Sequence, residues 1–288
     1  MALVWRERLS PLGPVRALSP PRLPAGGTTV FVGEPLQDRT SRRSLFFYAA
    51  AIRAARRRGR VILGAVGVDV RSRFAAGLLP RILRDVDYIS VRDPRSHEVL
   101  RSRGIAAREA RDAALLLSPR SNHGGPVLLN LVPGLPAAVR REATGLAREA
   151  AGRLGKGVRG LVMARGEDDR VLMGLEPIVP RTVAEALDAV AGATLLIGSR
   201  LHALEFALIC NTPFVAVPYA PKVEEFLRLV ERDLPAPVPR IPGPGGQEAL
   251  GTILAGGYRR GLARARERLR GEAAEGMKDV LRFIREMA

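Results

Sequence analysis

Along this chain, short and almost wholly apolar runs alternate with longer stretches in which apolar residues recur every three to four positions. Thr28–Val32, Arg60–Val66 and Asp87–Val91 are runs of the kind a parallel sheet buries on both faces. After the first run a helix is predicted to open at Ser41 and close at Gly59. Leu45, Tyr48, Ala49 and Ile52 fall on one face of it, with arginines opposite. Phe74–Val86 reads as a second helix. Asp93-Pro94, as cap and first helical residue, opens a third, PRSHEVLRSRG. This β-α-β-α-β-α order predicts a parallel sheet with helices on both faces.

Pro, Gly, Ser and Asn then crowd into Ser118–Pro126, a linker signal, and the alternation restarts. Strands are predicted at Val127–Leu131, Val158–Ala164, Ala193–Ile197 and Phe214–Pro218. Helices are predicted at Ala137–Leu154, Thr182–Ala191, Leu201–Cys210 and Val223–Val230. Leu234–Gly246, rich in Pro and Gly, precedes two arginine-rich helices running to Ala288. Residues 1–27 read as an irregular lead-in. The expectation is an α/β protein of two Rossmann-like domains, 1–117 and 127–288, joined by 118–126, with a cleft between them. The last helices are expected to pack back on the first domain. In such sheets ligands sit beyond the carboxyl ends of the strands.

Composition narrows the chemistry. Hydrophobic residues make up 47% of the 288, enough for real cores. Net charge is +17, and 43 of the 46 basic residues are arginines, spread along the whole chain. That balance favours polyanions, including phosphorylated substrates and an anionic membrane face. Aromatics at 5% and the lack of an RNA-binding signature argue against specific nucleic-acid binding. One cysteine, Cys210, excludes an internal disulfide framework, and His97, His123 and His202 are too scattered for a zinc site, so no metal is expected. His97 is expected at the surface, His123 in the linker, and Cys210 as inert core. The start, MALVWRERLSPLGPV, lacks the apolar stretch of a signal peptide, and Ala189–Ile197 is far too short to span a bilayer. A cytoplasmic protein is expected.

The window Ala193–Lys222, ATLLIGSRLHALEFALICNTPFVAVPYAPK, carries the most chemistry. A strand ends at Gly198, Ser199 is placed to cap, and Arg200, Leu201 and His202 form the first helical turn. Free backbone N–H groups and the positive end of the helix favour an anion there. The same positive end opposes protonation of His202 until an anion binds. Glu205, one turn on, is positioned to hold the imidazole tautomer. Tyr219-Ala-Pro-Lys222 brings one of three lysines to the same sheet edge. A capped, buried helix whose histidine only bonds backbone would account for the same pattern.

GSRLHALEFALICNTPFVAVPYAPKVEEF resembles the signature of the polysaccharide pyruvyl transferase family, of the CsaB type: Gly-x-Arg-Leu-His, an apolar helix, a proline-bounded strand, then Tyr-Asp-x-Lys. LQDRTSRRSLFFY is similar to the family's Leu-Gln-Asp-x-Thr-Ser segment, and ISVRDPRS to its Val-Arg-Asp/Glu segment. GEDDRVL is similar to a further short stretch. The likeness runs from Val30 to Phe226 in the family's order. This chain carries Val32-Gly33-Glu34-Pro35 where the family has Gly-Gly-Gly, and Ala220 where it has the Asp of Tyr-Asp-x-Lys. The family's opening Gly-Asn-x-Gly-Asp-Glu loop has no counterpart, so the first domain is expected to lack its N-terminal strand–loop–helix unit.

The resemblance implies a GT-B-like architecture and transfer of the pyruvyl group of phosphoenolpyruvate onto two hydroxyls of a sugar, as a cyclic ketal, with release of phosphate. The acceptor is a glycan or lipid-linked saccharide precursor of a wall or surface polysaccharide. No cofactor is implied, and peripheral contact with the inner membrane face fits the positive charge. Carried onto this sequence, His202 is the general acid/base. Arg200 with Leu201, Arg92 and Lys222 contact the donor; Gln37 and Asp38 face the acceptor. Arg92 could instead pair with Asp93, and Asp38 could cap the helix near Ser41. The alternatives are a GT-B glycosyltransferase using a nucleotide sugar, or a non-catalytic relative that binds anions or membranes.

Overall fold

The computed structural model describes residues 27–38, 42–119, 124–243, 250–253 and 256–286. They divide into two compact units, residues 27–116 with 269–286, and residues 117–268. The lead-in, Ser41 and His123 lie outside the described residues, as does the middle of the expected linker.

In the first unit β1 (Thr28–Phe31), β3 (Arg60–Val66), β5 (Tyr88–Val91) and β6 (Arg108–Glu109) lie side by side in that order, all parallel. β6 was not predicted from the sequence, nor were two further short strands, β2 (Leu36–Gln37) and β4 (Val68–Asp69), which pair with each other in a separate sheet. The helices are α1 (Arg42–Arg56), α2 (Arg73–Leu83) and α3 (Pro94–Arg101). Ser72 caps α2 and Asp93 caps α3, each side chain accepting from the amide three residues on. Leu63, Val66, Ile89 and Val91 from the strands meet Ile52, Leu79 and Leu100 from the helices in one core. Each such side chain contributes roughly 1.5–3 kcal/mol by leaving water.

The second unit is a five-stranded parallel sheet, in the order β11 (Phe214–Ala216), β10 (Leu195–Gly198), β7 (Val127–Asn130), β8 (Val158–Leu161) and β9 (Glu176–Ile178). Every residue of β7, β10 and β11 is buried, which is why these strands read as unbroken apolar runs. The edge strand β9 escaped prediction because Pro177 sits in it, and an edge tolerates the missing N–H. The helices are α4 (Ala137–Leu154), α5 (Asp168–Val171), α6 (Val183–Gly192), α7 (Leu201–Ile209) and α8 (Pro221–Glu231). Gly155, at φ 62°, closes α4 in the left-handed conformation that glycine adopts freely. The two parallel sheets give the α/β, Rossmann-like fold class expected from the alternation.

After the Pro/Gly-rich stretch the described residues are helical at 250–253 and again in a long helix, α9 (Gly256–Glu286), of 31 residues. Two of its glycines, Gly261 and Gly276, are packing positions. A Cβ on Gly261 would meet Leu234 Cδ2 at 2.8 Å, and one on Gly276 would meet Ala110 Cβ at 2.7 Å. Residues up to Arg268 belong to the second unit, where Arg268 bonds Asp233 and the Leu229 carbonyl. From Leu269 the helix belongs to the first, where Arg111 pairs with Glu272 and Tyr88 packs on Phe283. Among the described residues no helix is long and apolar enough to cross a membrane.

Candidate functional site

Sheet order fixes where a ligand can enter the second unit. The chain runs β7, β8, β9 outward to one side, then returns to place β10 on the other side of β7. Between β7 and β10 the order reverses, and the connections leave to opposite sides, opening a crevice at the carboxyl ends. Those ends are Asn130 and Gly198, which are register partners.

The groups at this point are polar and ordered. Asn130 is buried at the end of an apolar strand; its Nδ2 donates to the Leu161 carbonyl at 2.9 Å, and its Oδ1 accepts from the Arg200 amide at 3.1 Å. Ser199 does not cap α7. Its hydroxyl donates to the Asn130 carbonyl and accepts from the Val132 amide, tying the two strand ends together. The N-cap is Arg200, in extended conformation, and no side chain caps the helix. The α7 helix thus begins without a side-chain cap at the carboxyl end of the sheet, where its dipole is positive. On the next strand, α8 also begins without a side-chain cap, with Pro221 first and Lys222 in its opening turn.

Arg200 is held from below. Its Nε lies 2.9 Å from both oxygens of Asp168, and its Nη2 donates to Asp168 Oδ1 at 2.6 Å and Glu167 Oε2 at 2.8 Å. Asp168 is wholly buried and also accepts from the Met163 and Ala164 amides. Desolvation works against the Arg200 charge, but Asp168, then Glu167 and Tyr219, outweigh it and hold its pKa above the usual arginine value. The forked face of Arg200, expected to clamp a donor, is thus closed on two carboxylates. Leu201 is buried, so it offers the crevice only its amide. His202 follows with a side chain 54% exposed, its Nε2 3.8 Å from Oε2 of the buried Glu205. That separation is an ion-pair distance and too long for a hydrogen bond. Asn130 and Asp168 were missed in the sequence. The signal was there: a polar residue ends each apolar run, LLN and then the carboxylates of GEDD.

The first-unit candidates have partners of their own. Arg92, expected as a second donor clamp, is 4% exposed and meets three carboxylates: Asp112 at 2.8 Å, Asp93 at 3.9 Å, and Glu34. Pairing with Asp93 was foreseen as the alternative, and Glu34 and Asp112 join it. The guanidinium lies on Gly67, where a Cβ would come within 2.9 Å of Nη2. Asp38 accepts from the Arg71 and Ser72 amides and the Ser72 hydroxyl, bracing the start of α2. Gln37 donates to Ser44 Oγ at 2.9 Å. His97, expected at the surface, is half-buried and within 3.1 Å of the Ala107 carbonyl. Cys210 is buried as expected.

Comparison with known proteins gives the geometry a context. The model of the polysaccharide pyruvyl transferase family matches residues 16–221. No curated protein matches the chain. Among solved structures, the calicheamicin glycosyltransferase is similar at a TM-score of 0.46 and 15% identity, over 91% of this chain and 74% of that one. UDP-GlcNAc 2-epimerase of Methanocaldococcus jannaschii is similar at a TM-score of 0.46 and 13% identity, over 88% and 75%. The glycotransferase of kitacinnamycin is similar at 0.44 and 14%, over 91% and 100%.

Proposed function

Because this chain belongs to the polysaccharide pyruvyl transferase family, we propose that it moves the pyruvyl group of phosphoenolpyruvate onto two hydroxyls of a sugar in a wall or surface polysaccharide precursor, forming a cyclic ketal and releasing phosphate. The observation that carries this reading is the uncapped start of α7 at the switch point, with exposed His202 in its first turn. A donor with a carboxylate and a phosphate suits the positive end of a helix that no side chain caps. Lys222, opening α8, supplies a second cation to the same sheet edge.

The chemistry assigns the groups. A proton delivered to the methylene carbon of the enol makes a methyl group and leaves the adjacent carbon electrophilic. One sugar hydroxyl bonds to that carbon; the carbon–oxygen bond to phosphate breaks; the second hydroxyl bonds in its place. The two hydroxyls lose two protons, one balancing the methyl group and one leaving on phosphate. His202, exposed and titratable, is the proton carrier, with the buried Glu205 carboxylate 3.8 Å from its Nε2. Arg200, fixed by Asp168, acts through its backbone position and its remaining Nη1 more than as a fork. Gln37, Asp38 and Arg92 are assigned to acceptor and donor contacts on the strength of the resemblance alone. No cofactor enters this scheme.

Calorimetric titration with phosphoenolpyruvate tests the reading without knowledge of the acceptor. Binding in the micromolar range, weakened at least about tenfold by Lys222→Ala and indifferent to a uridine nucleotide sugar, is the expected result. A folded protein that ignores phosphoenolpyruvate, or binds the nucleotide sugar in its place, would overturn it in favour of a glycosyltransferase.

A further inference from the structure

The first unit carries a surface that the proposed chemistry does not use. On α1 the exposed residues Arg43, Phe46, Ala50 and Arg53 recur at helical spacing, opposite buried Leu45, Ile52 and Ala55. On the neighbouring α2 the outward positions include Arg73, Phe74, Gly77 and Arg81. Phe46 and Phe74 are 50% and 56% exposed and touch, ring centroids 6.4 Å apart. The chain has only eight phenylalanines, so two of them half-exposed and in contact form an apolar patch.

The charge around the patch has one sign. From Arg42 to Arg60 the sequence has seven arginines and no acid; from Arg71 to Arg84 it has four and none. Asp38, the carboxylate near the start of α2, is engaged by the Arg71 and Ser72 amides. Ala50 and Gly77 keep the face shallow between the rings and the arginines. Beside it, a depression of about 420 Å³ is lined by Arg73, Gly77, Pro80 and Arg103, and Arg103 is fixed by the Ala76 and Val99 carbonyls.

We infer that the outer face of α1 and α2 docks on an anionic lipid bilayer. The phenyl rings enter the boundary between headgroups and acyl chains, and the arginines meet lipid phosphates. The depression beside Phe74 seats a headgroup phosphate between Arg73 and Arg103. Single-stranded nucleic acid also uses aromatic and basic groups, but as open stacking platforms. Here the two rings, tilted 53° to one another, cover part of each other. The inference does not rest on the pyruvyl-transfer reading.

The full chain would be sedimented with phosphatidylcholine vesicles, with and without phosphatidylglycerol, at low and high salt. Binding only to the anionic vesicles, reduced by salt, is expected. Arg43→Gln and Arg53→Gln should each weaken it about fivefold, and Phe46→Ser with Phe74→Ser about tenfold. These positions are exposed, so thermal midpoints stay near parental; a Phe74→Trp variant should shift its emission to the blue on vesicle addition. The inference is overturned if the parent ignores anionic vesicles, or binds both kinds alike. Variants that bind as the parent does overturn it too. An oligonucleotide bound in a Phe46/Phe74-dependent manner, with vesicles ignored, would reassign the face to nucleic acid.

Discussion

Asp168 grips the guanidinium of Arg200 from beneath the switch point, with contacts of 2.6 to 2.9 Å. The carboxylate is fully buried and its partner side chain is 22% exposed, so removing its charge leaves the guanidinium with Glu167 alone and weakens the acceptor of two backbone amides. Asp168→Asn should destabilise the protein by on the order of 3 kcal/mol, seen as an earlier midpoint in urea. A parental midpoint would mean that the pair stabilises nothing.

His202→Ala should abolish turnover at little structural expense. The side chain is 54% exposed, so the stability change should stay within about 1 kcal/mol. Phosphate release from phosphoenolpyruvate with acceptor present, measured beside a thermal melt, separates the two effects. Parental turnover would remove His202 from the chemistry.

Gly67 is the floor on which Arg92 lies. Gly67→Ala puts a methyl 2.9–3.0 Å from a guanidinium that Glu34 and Asp112 keep from moving. A loss of about 1–3 kcal/mol is expected. Gly77, with nothing within 4 Å of its Cβ position, is the control whose alanine variant should not be destabilised.

Burial pulls the Asp38 carboxyl upward, but the Ser72 hydroxyl and the Arg71 and Ser72 amides outweigh it and hold its pKa below the usual value. A carboxyl lowered on folding adds stability above its unfolded pKa, about 3.9, and loses it as pH falls through the folded value. Melting curves of parent and Asp38→Asn should therefore differ at neutral pH and converge in acid. A gap that persists in acid would point to shape and not charge.

Burial, with Asp188 adding to it, pushes the Cys210 thiol up to about 12. A disulfide reagent at pH 8 should leave the native protein unmodified and titrate one thiol once denaturant is added. Rapid reaction of the native form would show that α7 opens.

The alternation of strands and helices was legible because parallel strands buried on both faces leave no polar period to confuse them. RVILGAV, LLIG and FVA could be little else. The helix starts at Asp93 and Thr182 were equally plain, since a capping side chain announces itself. What stayed hidden depends on residues far apart in the chain. Arg200 reads as an anion clamp until Asp168, 32 residues away, is seen across the end of β7 with Asn130 between them. Nor does the sequence around Arg92 announce Glu34 and Asp112, 58 and 20 residues away, as its partners.

Pro177 has a consequence at the rim of the second sheet. An edge strand normally offers a row of donors and acceptors on which any stray extended segment can nucleate. β9 has three residues, and one of them has no hydrogen to donate. A foreign strand arriving there would find the row interrupted at its midpoint, with Glu176 exposed beside the gap. The same ring that hid the strand from prediction keeps the sheet at five strands.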